Sequence, residues 1–226
     1  MRLSVVMPVF NEAKTVERII ARVLQAPGLF EILVVDDASS DGTAEALSRV
    51  RDPRVRLFRH PANRGKGAAL RTAFEQVRGD VVIVQDADLE YDPADYPRLL
   101  SPIESGLADV VYGSRFTGET HRVLFFWHYV GNRFLTALSN MLTNLNLTDM
   151  ETCYKAFRAE ILREVRFRSD RFGIEPEFTA KIARRGLRVY ETSISYHGRD
   201  YAEGKKITWR DGLKAVVAIL YYHFFD

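Results

Sequence analysis

Val81-Val82-Ile83-Val84-Gln85-Asp86-Ala87-Asp88 decides the fold. An unbroken run of β-branched residues reads as a short strand buried on both faces, as in a sheet covered by helices. It leads straight into two carboxylates separated by one residue. Acids crowded at the end of a buried strand are costly unless a cation joins them.

The same pattern recurs on either side. Leu3-Ser4-Val5-Val6-Met7, closed by Pro8, predicts a strand, and Ile32-Leu33-Val34-Val35 predicts another that runs into Asp36-Asp37. Residues 55–58 and 109–112 predict two more. Between them, Asn11 can cap a helix whose Val16, Ile19, Ile20, Val23 and Leu24 form one stripe. Helices are also predicted over 43–50, over 67–77 and after Pro93. Strand and helix in alternation imply an α/β fold with a mostly parallel central sheet and helices on both faces. Beyond it the pattern predicts a long helix over 123–145, a helix over 175–185, a strand over 187–196 and a terminal amphipathic helix over 209–225. No repeat or linker interrupts the 226 residues, so one domain is expected over 1–226.

Composition narrows the function. Thirty-two basic and thirty acidic side chains leave a net charge of +2, which argues against nucleic-acid binding by bulk charge. A single cysteine, Cys153, excludes a disulfide framework and a paired-cysteine zinc site, and a reducing compartment is the default. No signal peptide is expected, and no segment is apolar over the roughly 20 residues needed to span a membrane.

Parallel sheets place ligands beyond the carboxyl ends of their strands. Glu12, Asp36, Asp37, Asp86 and Asp88 all fall there. Asp86 and Asp88 suit a hard divalent ion, Mg²⁺ or Mn²⁺, with positions left for a diphosphate. Asn63-Arg64-Gly65-Lys66-Gly67 is neither a P-loop nor a dinucleotide fingerprint. It reads equally as an anion-binding helix start or as a turn with its cap.

Four blocks then come together: Pro8-Val9-Phe10-Asn11-Glu12, Val35-Asp36-Asp37-Ala38-Ser39-Ser40-Asp41-Gly42-Thr43, Asn63-Arg64-Gly65-Lys66-Gly67 and Asp86-Ala87-Asp88-Leu89-Glu90. In this order they resemble the family-two inverting glycosyltransferases of GT-A fold. The second half resembles one branch, the polyprenyl-phosphate (dolichol-phosphate) mannosyl- and glucosyltransferases. There the carrying residues are Gly113-Ser114-Arg115-Phe116, Asn132-Arg133, Asp149-Met150-Glu151-Thr152-Cys153-Tyr154-Lys155, Tyr196-His197-Gly198-Arg199 and Gly204-Lys205-Lys206.

The resemblance implies a donor half over 1–116 and an acceptor half over 117–226. Pro8, Phe10, Glu12 and Asp37 would surround the base and ribose of a nucleotide diphosphate sugar, GDP-mannose or UDP-glucose. Lys66, Ala87, Arg199 and Lys205 would complete the donor site. Asp86 and Asp88 would hold Mg²⁺ or Mn²⁺, with Glu90, where the family often has Gln, as a further ligand or turned away. Arg115 and Arg133 would meet the phosphate of a polyprenyl acceptor, and Asp149 joins Asp88 and these arginines in the catalytic group.

A phosphate monoester has a second pKa near ~6, so it reaches the site already anionic and needs no strong base. A hydroxyl acceptor, on a soluble glycan, a small molecule or a protein, would need one; Asp149 and Glu175-Pro176-Glu177 are the candidates. The aromatic stretch over 123–129 and the terminal helix are candidate lipid contacts, or else core or a subunit interface. Residence at the cytoplasmic face of a membrane is expected, as a peripheral protein with a possible membrane-anchoring partner or as a homo-oligomer.

Overall fold

A computed structural model describes residues 1–118, 123, 125–199 and 209–226, with Trp209 and Arg210 given by backbone alone. The expected lysines Lys205 and Lys206 lie outside the described residues. One seven-stranded sheet organises the chain. Its strands are β1 (Leu3–Val9), β2 (Leu29–Asp36), β3 (Val55–Arg59), β4 (Val81–Val84), β5 (Val110–Ser114), β6 (Lys155–Arg158) and β7 (Val189–Ser193). They lie in the order β3-β2-β1-β4-β6-β5-β7. All neighbours pair in parallel except β6, which runs antiparallel to β4 and β5.

The helices are α1 (Val16–Val23), α2 (Thr43–Ser48), α3 (Lys66–Phe74), α4 (Tyr96–Glu104), α5 (Phe126–Thr143), α6 (Ile161–Glu164), α7 (Ile174–Arg184) and α8 (Trp209–Phe224). Every residue of β1 and of β4 is buried, as the unbroken apolar runs require. The α1 stripe Val16, Ile19, Ile20 and Val23 packs into the same core.

Three local expectations are corrected. Pro8 does not close β1, which continues to Val9. Pairing with β4 ends at Val6↔Val84, so the side on which Pro8 lacks an N–H has no strand left to bond. Asn11 does not cap α1: it takes a left-handed φ of 53°, its side chain accepts from Ser40 N, and Thr15 stands at the N-cap. Strand β6 was not expected at all. It inserts between β4 and β5, so the sheet is mixed at its centre.

The start of α3 is closed by the chain itself. Arg64 N and Gly65 N donate to the two Asp37 carboxylate oxygens at 2.9 and 2.7 Å. Ala68 N donates to Asp170 O at 3.0 Å, and Arg71 bonds the carbonyls of Arg168 and Ser169 and the carboxylate of Asp170. Turn and cap therefore describe this loop. Gly65 sits at φ +97°, and a Cβ on Gly67 would run into the Ser169 carbonyl. Gly67→Ala is expected to cost about 2–3 kcal/mol of unfolding free energy by forced repacking against backbone. Gly131→Ala, in α5 with nothing within 4 Å of the added Cβ, should instead gain about 0.5–1 kcal/mol. Urea unfolding of the two variants checks both; equal effects would contradict the packing argument.

Candidate functional site

Strands β1, β2, β4, β5 and β7 point the same way, so their carboxyl ends share one edge of the sheet. Glu12 follows β1, Asp36-Asp37 ends β2, Asp86 to Glu90 follow β4, Arg115 follows β5, and Tyr196 and Arg199 follow β7. Because β6 runs in reverse, the block that precedes it, Asp149 to Cys153, enters at this edge too. One antiparallel strand thus carries the acidic block of the second half to the acidic residues of the first.

Two positive groups hold the metal-side carboxylates. Lys66 Nζ lies 3.0 Å from Asp86 Oδ1 and 3.1 Å from Glu175 Oε1. Burial alone would push the Lys66 ammonium down, but Asp86 and Glu175 hold it well above its ordinary range. Arg199 meets three acids: Nη2 is 3.0 Å from Asp88 and 3.1 Å from Glu12, and Nε is 3.1 Å from Glu90. The Asp88 carboxyl is pushed up to about 7, first by burial and then by Asp86 and Glu90 beside it, against the pull of Arg199.

These donors are hard carboxylate oxygens that outnumber their two cationic partners, Lys66 and Arg199, which fits a divalent cation. Among the described residues no three such side chains are drawn together as metal ligands; the Arg199 guanidinium lies between them. Glu90 is taken up on its other side by the Tyr196 hydroxyl at 2.6 Å.

A second cluster at this edge is built on Asp149. This carboxylate is fully buried and grips Arg115 in a fork, Nε at 2.6 Å and Nη2 at 2.8 Å, with Arg115 N at 3.2 Å. Asn132 of α5 donates to it as well, at 3.2 Å. Glu191 fixes the loop from behind by accepting from Thr148 N and Asp149 N. Asp149 therefore orients Arg115. Arg133 is exposed on α5 and joins none of these bonds.

The residues expected around a base and ribose are placed as follows. Pro8 and Ala87 are buried, and Phe10 is partly exposed at the end of β1. Asp37 has both oxygens engaged, by His60 Nδ1 at 2.7 Å and by the α3 amides. Neighbouring Asp36 keeps a buried oxygen, Oδ2, without a hydrogen bond, near Arg59 Nε at 3.3 Å.

Sequence reasoning missed three members of this edge. Tyr196 was quoted without a role, Glu175 was weighed only as a base, and Glu151 was given none. Burial, with Glu175 nearby, pushes the Glu151 carboxyl up to about 8, and its Oε1 is buried without a partner. No local signal marks them, because their partners are distant in sequence.

Residues 4–166 match the Glycosyl transferase family 2 profile. The chain is 32% identical over 220 residues to the undecaprenyl-phosphate mannosyltransferase of Micrococcus luteus, covering 91% of this chain and 87% of that protein. It is 30% identical over 214 residues to the polyprenol monophosphomannose synthase of Mycolicibacterium smegmatis, covering 90% and 80%. Several further relatives are longer, and the chain spans between 52% and 63% of their length. The solved glucosyl-3-phosphoglycerate synthase of Mycobacterium tuberculosis superposes with a TM-score of 0.76 at 22% identity, over 100% of this chain and 82% of that one. That protein has also been crystallised with Mn²⁺, UDP and phosphoglyceric acid. At this identity the likeness shows the fold. With a family profile matched over most of its length and a relative 32% identical across 91% of it, the chain belongs to glycosyl transferase family 2.

Proposed function

We propose that the chain transfers a hexose from a nucleoside diphosphate sugar to a polyprenyl phosphate, with inversion at the anomeric carbon. The observation that carries this is the state of the residues able to act as a base. Asp149 is committed to Arg115 and Asn132. Glu177 accepts from Arg168 N, Ser169 N and Lys181. Glu175 is paired with Lys66, and burial raises the Glu151 carboxyl above its ordinary range. Among the described residues, the carboxylates that the sequence offers as bases, Asp149, Glu175 and Glu177, thus each already hold a cationic partner, whereas a phosphate brings its own nucleophilic oxygen. The names of the Micrococcus and Mycolicibacterium relatives support the same acceptor, and mannose as the sugar.

The residues divide the work. Asp86 and Asp88 would hold Mg²⁺ or Mn²⁺, with Glu12 and Glu90 taken up by Arg199 beside them. The ion supplies charge stabilisation to the departing diphosphate. Arg199, already at this cluster, can exchange its carboxylates for donor phosphate oxygens. Arg115 presents its guanidinium, with its plane set by Asp149, to the lipid phosphate, a geometry suited to paired oxygens. Arg133, exposed one residue from Asn132, would meet the same phosphate from the α5 side.

The lipid needs a surface, and two helices provide one. On α5 the buried positions Thr136 and Ser139 are small and polar, while Phe126, Trp127, Phe134 and Met141 are exposed. On α8 the buried Ala215, Ile219 and Tyr222 oppose an exposed stripe of Leu213, Val217, Leu220 and Phe224. Helices that turn large apolar side chains to solvent mark an interaction face. Among the described residues no helix is long and apolar enough to cross a membrane. The α5 and α8 faces thus support peripheral attachment at the cytoplasmic face of a membrane.

Two outcomes test the proposal. Radiolabelled GDP-mannose or UDP-glucose with a short polyprenyl phosphate and Mn²⁺ should yield labelled lipid, and Asp88→Asn should abolish it. Transfer to a free sugar hydroxyl instead would contradict the acceptor assignment. The chain should co-sediment with phosphatidylglycerol vesicles, and Trp127→Asp with Leu213→Asp should release it while leaving the fold intact, since both sites are exposed. Undiminished vesicle binding by this variant would remove α5 and α8 from the membrane face.

A further inference from the structure

Tyr196 stands between the two sets of charges. Its backbone is anchored independently of its side chain. Ser195 N donates to Asp95 at 2.7 Å, His197 N donates to Glu90 O at 2.8 Å, and Tyr196 bridges to Tyr91. The ring packs against Tyr91 at 5.2 Å, and the Arg115 guanidinium lies over it, 5.2 Å from its centroid. The hydroxyl donates to Glu90 Oε2 at 2.6 Å. The other Glu90 oxygen accepts from Arg199 N and Nε, both at 3.1 Å. Arg199 in turn bonds Asp88 and Glu12.

We propose that Tyr196 is a positioning residue that couples the two halves of the site. Its ring backs the Arg115 guanidinium in the plane that Asp149 sets, and its hydroxyl occupies the Glu90 oxygen that Arg199 does not take, withholding it from the cation. The assignment of the two anionic reactants rests on the function proposed above; the behaviour of Glu90 toward a cation does not.

Each half of the side chain carries a separable effect. A short bond from a neutral hydroxyl to a carboxylate is among the stronger protein hydrogen bonds. Removing the hydroxyl takes the donor from Glu90 Oε2 while Oε1 stays on Arg199, so that one oxygen becomes available to a cation at the neighbouring Asp88. The ring acts on Arg115 through cation–π attraction, which phenylalanine keeps and leucine loses.

The experiment compares Tyr196→Phe, Tyr196→Leu, Glu90→Gln and Tyr196→Phe/Glu90→Gln. Mn²⁺ affinity is measured by calorimetry without donor, and KM for a short polyprenyl phosphate is measured by transfer. Tyr196→Phe should bind Mn²⁺ about tenfold more tightly with acceptor KM unchanged. In the double variant this gain should vanish, leaving the affinity of Glu90→Gln alone. Tyr196→Leu should also raise acceptor KM, by about tenfold. Wild-type Mn²⁺ affinity in Tyr196→Phe, a gain that survives in the double variant, or equal acceptor KM in the Phe and Leu variants would overturn the coupling. Should the wild-type chain transfer nothing to lipid phosphate, the acceptor assignment fails, and the calorimetric arm still decides whether Tyr196 restrains Glu90.

Discussion

Mutual repulsion among carboxylates at one edge of the sheet is the constraint that the rest of the structure answers. Glu12, Asp86, Asp88 and Glu90 come together because parallel strands end side by side, and partial burial limits their contact with water. Lys66 and Arg199 offset part of that charge. What is left over is visible in Asp88, whose carboxyl is lifted far above its ordinary range. A site in this condition favours a divalent cation and a ligand that brings one. The same logic holds on the acceptor side with signs reversed. Arg115 is buried, and Asp149 compensates it in a fork that leaves the guanidinium plane fixed. Breaking one partner of such a buried pair is far more costly than the pair itself is stabilising.

Most of the sheet was legible because its strands are short apolar runs, two of which, β2 and β4, run into acids. Val81 to Val84 and Ile32 to Val35 could be read without knowing their neighbours. Strand β6 was not legible. Lys155-Ala156-Phe157-Arg158 has charged ends and a single turn's worth of apolar residues, and its identity as a strand comes from pairing with β4 and β5. The glycines before α3 illustrate the opposite hazard. They match an anion-binding loop by composition, yet what approaches them is the chain's own carbonyls at residues 169 and 170. A local pattern shows that something must come close to the backbone; which group does so is a long-range fact.

The site was legible by residue type more than by partner. Asp86 and Asp88 could be nominated from position at strand ends, and Arg115 from the family resemblance. That Asp149 is committed to Arg115, that Glu175 shares Lys66 with Asp86, and that Tyr196 touches both groups depend on contacts tens of residues apart. The second half carries a further inversion. Helix α5 buries Thr136 and Ser139 and exposes large apolar side chains, and α8 carries large apolar side chains on both faces, so a periodic pattern could not say which face was the core.

The central claim is that one sheet edge brings two anions to a common reaction centre, one through an ion at Asp86 and Asp88, the other through Arg115. Paramagnetic relaxation measures this directly. With Mn²⁺ and a nucleoside diphosphate bound, the ³¹P signal of a short polyprenyl phosphate should relax as expected for a separation of about 10 Å or less, since β4 and β5 are two strand spacings apart. A lipid phosphate that binds yet relaxes as if Mn²⁺ were absent would place the two anions in separate pockets and contradict the account.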